Sequence, residues 1–188
     1  MIKIIFFFNK YFKNKKEKKA FFLIEVMLAI FLVLVGFLTV ISLASSGLRE
    51  SMDSRDQIIA GLLAQEGAEL VRNIRDNNWV TGGNSFNNLP NNNNDCLVDM
   101  NSSEIINGNC TKDFSELQLW YKNNFYTIDP SNPFVATKFH RKIDFDINGN
   151  RLTITSMVVW GGSFLTVANC NVSNKCVYVK TILTKWGE

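Results

Sequence analysis

One carboxylate stands inside a long apolar stretch. Glu25 is the only charged residue among the 24 residues from Phe21 to Ala44, which we call the apolar segment. An ionised carboxylate in hydrocarbon is costly, so it is usually neutralised or paired, and its presence points to a functional role. The sequence has no lysine, arginine or histidine between Phe21 and Leu48. The chemistry open to Glu25 is therefore pairing with a cation supplied from outside the segment.

A free α-amino group would be such a cation if the chain were cut directly before Phe21. The new amine would lie four residues from Glu25, or near the Glu25 of a neighbouring copy. At about 1.5 Å of rise per residue, the apolar segment forms a helix roughly 36 Å long, whereas a bilayer core is about 30 Å thick. The sequence therefore predicts one transmembrane helix that carries an assembly carboxylate near its start.

The residues around the predicted cut are Lys19-Ala20-Phe21-Phe22-Leu23-Ile24-Glu25. This run resembles the processing site of type IV prepilins and type II secretion pseudopilins, in which a basic leader precedes an apolar helix. The resemblance implies cleavage after Ala20 by a prepilin peptidase, N-methylation of Phe21, and pairing of Glu25 with an N-terminus during assembly. Ala20 stands where the family usually has glycine, and Phe22 stands where it usually has threonine.

The resemblance implies a structural subunit rather than an enzyme, with other pilin subunits, the peptidase and the membrane as partners. The implied location is the cytoplasmic membrane, with the N-terminus inside, followed by an extracellular filament or a pseudopilus. Major pilins often carry a proline in the membrane helix, and the lack of one before Pro90 favours a minor pilin.

Three alternatives remain open on the sequence. A pseudopilin of a type II secretion system would differ from a pilin in its partners. A single-pass, membrane-anchored extracytoplasmic binding module would keep residues 1–20. Ordinary secretion would use the small-x-small run Ser42-Leu43-Ala44 and leave Ser45 at the new N-terminus, although a typical signal-peptide core has only about 7–15 apolar residues.

The basic character of the chain belongs to its first 20 residues. These hold seven lysines and one glutamate, a charge of +6. The whole chain has a net charge of +3, so residues 21–188 carry 3 − 6 = −3. Lysines before a membrane span favour a cytoplasmic location for residues 1–20. No nucleic-acid partner is predicted, because the basic residues precede the cut.

Four cysteines follow the predicted span: Cys96, Cys110, Cys170 and Cys176. An even number in an oxidising compartment predicts two disulfides, and three connectivities are possible. We favour Cys96–Cys110 and Cys170–Cys176, because each pair brackets a short polar loop. A zinc site is the rival, but the chain has no CxxC and one distant histidine.

The sequence predicts an α+β fold, in which one long N-terminal helix packs on a small antiparallel sheet. Apolar residues recur at helical spacing at Ile59, Leu63, Leu70 and Ile74, widened by Ile58 and Leu62, and Asn77-Asn78 is the expected end of the helix. The expected divisions are a cytoplasmic leader at 1–20, the membrane or filament-core helix at 21–44, its amphipathic continuation at 45–78, an Asn-rich loop region at 79–116, and a β-sheet head at 117–188.

Within 117–188, the alternation of Phe139, Ile143, Phe145 and Ile147 with polar residues predicts a half-buried strand. Asn148-Gly149 predicts a hairpin after it. Leu117–Tyr121 and Phe125–Asp129 flank a second short hairpin at Lys122-Asn123-Asn124. Val177–Thr184 is the expected last strand, and Trp186 is expected to end the fold.

Two further groups contain residue types that could carry chemistry. Asp144-x-Asp146-x-Asn148-Gly149 matches the opening of a calcium loop, but its twelfth position is Thr155 where a bidentate glutamate is needed. A hairpin accounts for the same residues. His140 is the one histidine, and the sequence shows no serine or cysteine placed to act with it, so we expect an outward-facing strand residue. No cofactor or metal is predicted.

Overall fold

The structure is a computed structural model that describes residues 18–90, 96, 98, 114–128, 135–162 and 166–185, with side-chain surroundings given from residue 21 on. It has the predicted α+β layout, one long N-terminal helix and a curled five-stranded antiparallel sheet. The chain forms two compact units. The N-terminal unit ends at Ser51, and the C-terminal unit begins at Met52 and contains the sheet.

Helix α1 spans Lys18–Val80 and ends later than Asn77-Asn78, the predicted stop. Two glycines terminate it. Gly82 has a φ of +75°, its N–H donates to the Trp79 carbonyl, and the N–H of Gly83 donates to the Asn78 carbonyl. This bond pair is a Schellman motif, in which glycine adopts the left-handed conformation that other residues avoid. Asparagine tolerates the last turn of a helix, so the Asn pair was a weaker signal than the Gly pair that follows it.

Five strands follow in the C-terminal unit, with a short 3-10 turn at Phe114–Leu117 before the first. They are β1 (Gln118–Lys122), β2 (Phe125–Thr127), β3 (Val135–Asn148), β4 (Arg151–Val159) and β5 (Cys176–Thr184). The strand order is β2-β1-β3-β4-β5, and every neighbouring pair is antiparallel.

Both predicted hairpins are confirmed. Lys122 pairs with Phe125, so the first turn holds Asn123 and Asn124, with φ of +51° and +68°. Two left-handed residues give the turn a twist that matches its strands, and asparagine adopts that conformation readily. In the second hairpin Asn148 pairs with Arg151, and Gly149 supplies the positive φ at the first turn position.

The C-terminal half of α1 packs on one face of the sheet through small side chains. Ala60, Ala64, Gly67 and Ala68 are buried, together with the larger Leu63, Val71 and Ile74. Ile59 and Leu70 are half-buried, and Ile58 and Leu62, expected to widen the apolar stripe, are 65% and 60% exposed. The buried face of the helix therefore includes the small residues, which let the helix lie close to the strands, and it leaves out Ile58 and Leu62.

Two apolar clusters lie between this helix face and the sheet. One joins Ala60, Leu63 and Ala64 to Leu119, Phe139, Val158 and Trp160, and the other joins Val71 and Ile74 to residues of the loops and of β3, β4 and β5. Burying a side chain such as Phe139 or Ile154 contributes about 1.5–3 kcal/mol. The helix and sheet therefore stabilise each other along two successive sections.

Strand β4 is covered on both faces. All six residues from Ile154 to Val159 are buried. On the face turned away from the helix, Met157 and Val159 pack with Cys176, and Cys170 adds to the cluster. The segment before β5 thus completes a second, smaller core.

Helix and sheet approach each other closely at Gly67. A Cβ atom at this position would lie 2.5 Å from Ser156 Oγ, 3.1 Å from Arg141 Cδ and 3.2 Å from Ile143 Cδ1. Gly61 lies six residues earlier on the same helix, and a Cβ atom placed there would have nothing within 4 Å. The two glycines thus have the same secondary structure and different packing, which makes them a matched pair.

We expect Gly67→Ala to lower the free energy of unfolding relative to Gly61→Ala by about 1–3 kcal/mol, the usual cost of overpacking a core. Both substitutions gain about 1 kcal/mol of helix propensity, so the difference between them isolates packing. Urea denaturation of the two variants in detergent, followed by tryptophan fluorescence, measures it. Equal stability of the two variants would show that the helix does not approach the sheet this closely.

Candidate functional site: the apolar segment and Glu25

The apolar segment is helical and uncovered. Its large apolar side chains range from 39% exposed at Val26 to 75% exposed at Leu43. Among the described residues, α1 is the one helix long and apolar enough to cross a membrane, and none of its most apolar stretch is buried. This exposure fits a helix that needs a lipid or protein environment.

Two hydroxyl groups, one in the apolar segment and one just after it, are satisfied by the helix itself. Thr39 Oγ1 donates to the Gly36 carbonyl at 2.7 Å, and Ser46 Oγ donates to the Leu43 carbonyl at 2.9 Å. In hydrocarbon an unsatisfied polar group costs several kcal/mol, roughly. These internal bonds keep the segment compatible with an apolar environment.

Glu25 is the one charged side chain within the apolar segment. It lies on α1, is exposed, and sits one helical turn after Phe21, with Ala20 in the same helix. Along the described part of the N-terminal unit, the first cation after it is Arg49, 24 residues on, a helical rise of about 36 Å. That distance excludes pairing of Glu25 with Arg49 along the helix.

Cys170 and Cys176 form a disulfide, as predicted, with their Cα atoms 5.0 Å apart. The loop that it closes contains one short 3-10 turn, Val172–Asn174, and a second short 3-10 turn, Val167–Asn169, directly precedes Cys170. Cys96 is buried, disulfide-bonded, and exchanges two backbone hydrogen bonds with Ile143 at 3.0 Å each. Cys110, the predicted partner of Cys96, lies outside the described residues. Trp186, the predicted end of the fold, lies outside them as well.

Arg141 is a buried charge that belongs to no motif in the sequence. It is 1% exposed, and its guanidinium donates to the carbonyls of Leu63 and Val98 at 3.2 and 2.9 Å and to the Glu66 carboxylate at 3.1 Å. These bonds join helix, strand and loop. Its position along the strand is the sequence feature that indicates its burial, because Arg141 occupies an inward position of the alternation that includes Phe139 and Ile143.

The other candidate groups lie on the outward face of β3. Asp144 and Asp146 belong to the regular ladder with β4, opposite Thr155 and Thr153, and the Asp144 carboxylate lies 3.5 Å from Lys142 Nζ. No group of three possible metal ligands occurs in the part of the chain that the structure describes. The hairpin interpretation of this motif is therefore the one that the geometry favours.

His140 is half-buried and stacks on Phe114, with ring centroids 4.0 Å apart and ring planes at 16°. Its Nδ1 atom lies 3.3 Å from the Lys138 carbonyl oxygen. Burial lowers the pKa of His140, and the backbone contact with Lys138 partly opposes the shift. Its surroundings are those of a packed residue on the outward face of the strand.

Comparison of the chain with models of known protein families, with curated proteins and with solved structures gave no match. The apolar segment and Glu25 therefore have to be interpreted from their own chemistry.

We expect a triple variant, Leu32→Lys with Val35→Lys and Leu38→Lys, to lose stable association with membranes. A lysine near the centre of a bilayer costs about 2.5–3.5 kcal/mol, and three together offset most of the gain from inserting the segment. Alkaline extraction of membranes from expressing cells measures the fraction that stays in the pellet.

The matched control places lysines on the exposed apolar residues of the C-terminal unit's helix, Met52→Lys with Ile58→Lys and Leu62→Lys. These residues are 60–65% exposed, so the control keeps the same added charge and should remain in the pellet. Retention of both triple variants would contradict a membrane role for the apolar segment.

Proposed function

We propose that this chain is a minor pilin, a structural subunit of a type IV pilus made as a membrane-bound precursor. The observation that carries the proposal is one carboxylate, Glu25, on an exposed apolar helix, five residues into the chain that a cut after Ala20 would leave. The resemblance of residues 19–25 to a prepilin processing site supports it. The α+β layout is consistent with the same family.

In this proposal the membrane stores the subunit before assembly. The apolar segment spans the bilayer, and assembly transfers its side chains from lipid to the helices of neighbouring subunits in a fibre core. Apolar cover is maintained throughout, so the transfer does not expose the segment to water. The C-terminal unit remains outside the membrane and forms the outer layer of the fibre.

Cleavage creates a cation next to the apolar segment, which has none of its own. The amine of Phe21 stays basic after methylation, and it pairs with Glu25 of a neighbouring subunit. At an effective dielectric constant of about 20, two unit charges about 4 Å apart attract by roughly 4 kcal/mol. A wrong axial register leaves both charges unpaired in an apolar core, so the pair fixes the position of each subunit.

The first test is the N-terminus of the protein purified from cells that contain a prepilin peptidase. Mass spectrometry should find a chain that begins at Phe21 and carries one N-methyl group. Ala20→Gly should be processed at least as well, and Ala20→Leu should accumulate as precursor, because the cut follows a small residue. A wild-type chain that keeps residues 1–20 would indicate a permanent anchor, and one that begins at Ser45 would indicate ordinary secretion.

The second test removes the carboxylate. Glu25→Ala should still be found in membranes and processed, but its amount in sheared filaments should fall at least tenfold relative to wild type, because its amine partner stays unpaired. Glu50→Ala is the control, since Glu50 is an exposed acid of the same helix beyond the apolar segment. Incorporation of Glu25→Ala at the wild-type level would refute the assembly role.

The same chemistry would serve a pseudopilin of a type II secretion system. The two differ in partners, so the subunits that copurify with the processed chain distinguish them.

A further inference from the structure

The two edges of the sheet differ in length. At one edge β2 has three residues, and at the other β5 has nine, all of them paired with β4. A long edge strand presents a row of backbone groups that another strand can pair with, and proteins that avoid such pairing usually keep edge strands short. The β5 edge is therefore the part of the sheet where a partner would add.

The hydrogen-bond phase identifies which residues of β5 present their backbone to that edge. Trp160 N–H donates to the Lys175 carbonyl at 3.1 Å just before β5 begins. Because bonded and non-bonded pairs alternate along an antiparallel ladder, the odd-numbered residues of β5 bond to β4. The N–H and C=O groups of Tyr178, Lys180 and Ile182 point outward.

These three outward positions are open among the described residues. Beyond them the edge is occupied, because the N–H of Cys176 donates to the Asn171 carbonyl at 3.1 Å and the Thr184 carbonyl accepts from Arg75 at 3.1 Å. The open edge therefore accommodates a short strand, bonded at three alternate residues.

The side chains of the open positions define the chemistry of the partner. Tyr178 and Ile182 are 40% and 56% exposed on the outward face, and the exposed Lys180 between them has no ion-pair partner among the described residues. Directly opposed side chains on paired strands contribute about 0.2–1 kcal/mol when apolar groups or opposite charges meet. The best complement is an acidic residue with an apolar residue two positions away on each side.

A second copy of β5 fits poorly. Two-fold pairing centred on this edge places Lys180 opposite Lys180, which like-charge repulsion disfavours. A shift in one direction needs the N–H of Cys176, and a shift in the other needs the Thr184 carbonyl, and both groups are already bonded. The edge therefore discriminates against this chain itself.

We propose that the outer edge of β5 binds an extended segment of another protein as a sixth strand, with an acidic residue of that segment opposite Lys180 and apolar residues opposite Tyr178 and Ile182. Backbone bonds supply affinity in this kind of strand addition, and alternate side chains supply specificity. The proposal goes beyond filament assembly and does not rest on it.

The test uses the full chain in detergent micelles and a fluorescently labelled probe peptide, acetyl-Thr-Val-Thr-Glu-Thr-Val-Thr-amide. The comparison peptide has lysine in place of the glutamate. Fluorescence anisotropy should give a Kd at least tenfold lower for the glutamate peptide. Lys180→Glu should reverse that preference, and Arg151→Glu, an exposed charge change on the neighbouring strand β4, should leave it unchanged. Equal Kd values for the two peptides, or a preference unaffected by Lys180→Glu, would overturn the proposal.

Hydrogen exchange locates the bound peptide independently of charge. The glutamate peptide should slow exchange of the amides of Tyr178, Lys180 and Ile182. Slowing at the β2 edge instead would overturn the assignment. Lys180→Pro removes one outward N–H at a position where an edge strand tolerates proline, and it should abolish binding. If this variant is folded by circular dichroism and still binds with the wild-type Kd, the backbone mode is wrong.

Discussion

Uncovered apolar surface is the constraint on which the N-terminal unit depends. The side chains of the apolar segment are exposed, and each Å² of apolar surface left in water costs about 25 cal/mol. The described residues of this unit provide no second element to cover it. A lipid or protein environment would therefore stabilise this stretch, and Glu25 is the single acid within it.

The C-terminal unit satisfies its requirements internally. Gly67 brings helix and sheet into close contact, and Arg141 ties helix, strand and loop together at 1% exposure. Truncating one partner of a buried charged network typically destabilises by roughly 3–5 kcal/mol, because the other partner is left unpaired. Small residues thus allow the helix to approach the sheet closely, and the buried arginine fixes the position of the helix on the sheet.

Much of this fold could be predicted from local sequence. The alternation around Phe139, the turn residues Asn123-Asn124 and Gly149, and the six-residue spacing of Cys170 and Cys176 each carry their own structural signal. These signals are local because strand period, left-handed turns and short disulfide loops depend on neighbouring residues.

The features that were missed depend on residues far apart in the chain. Arg141 looks like an interruption of an apolar pattern until Leu63, Glu66 and Val98 surround it. The exposure of Ile58 and Leu62 follows from where the sheet meets the helix, which helical periodicity alone does not fix. For the candidate site, the sequence identifies Glu25 and its apolar setting, whereas the partner that we propose for it belongs to a neighbouring subunit.

The strand order has a kinetic consequence. Among the described strands, β4 pairs with β3, β5 pairs with β4, and β2 folds back on β1, so the β1–β3 pairing is the one sheet contact that skips a strand. Folding rates rise as contacts become more local in sequence. The sheet can therefore form progressively as successive strands emerge during synthesis or export, because most of its pairings join strands that are adjacent in sequence.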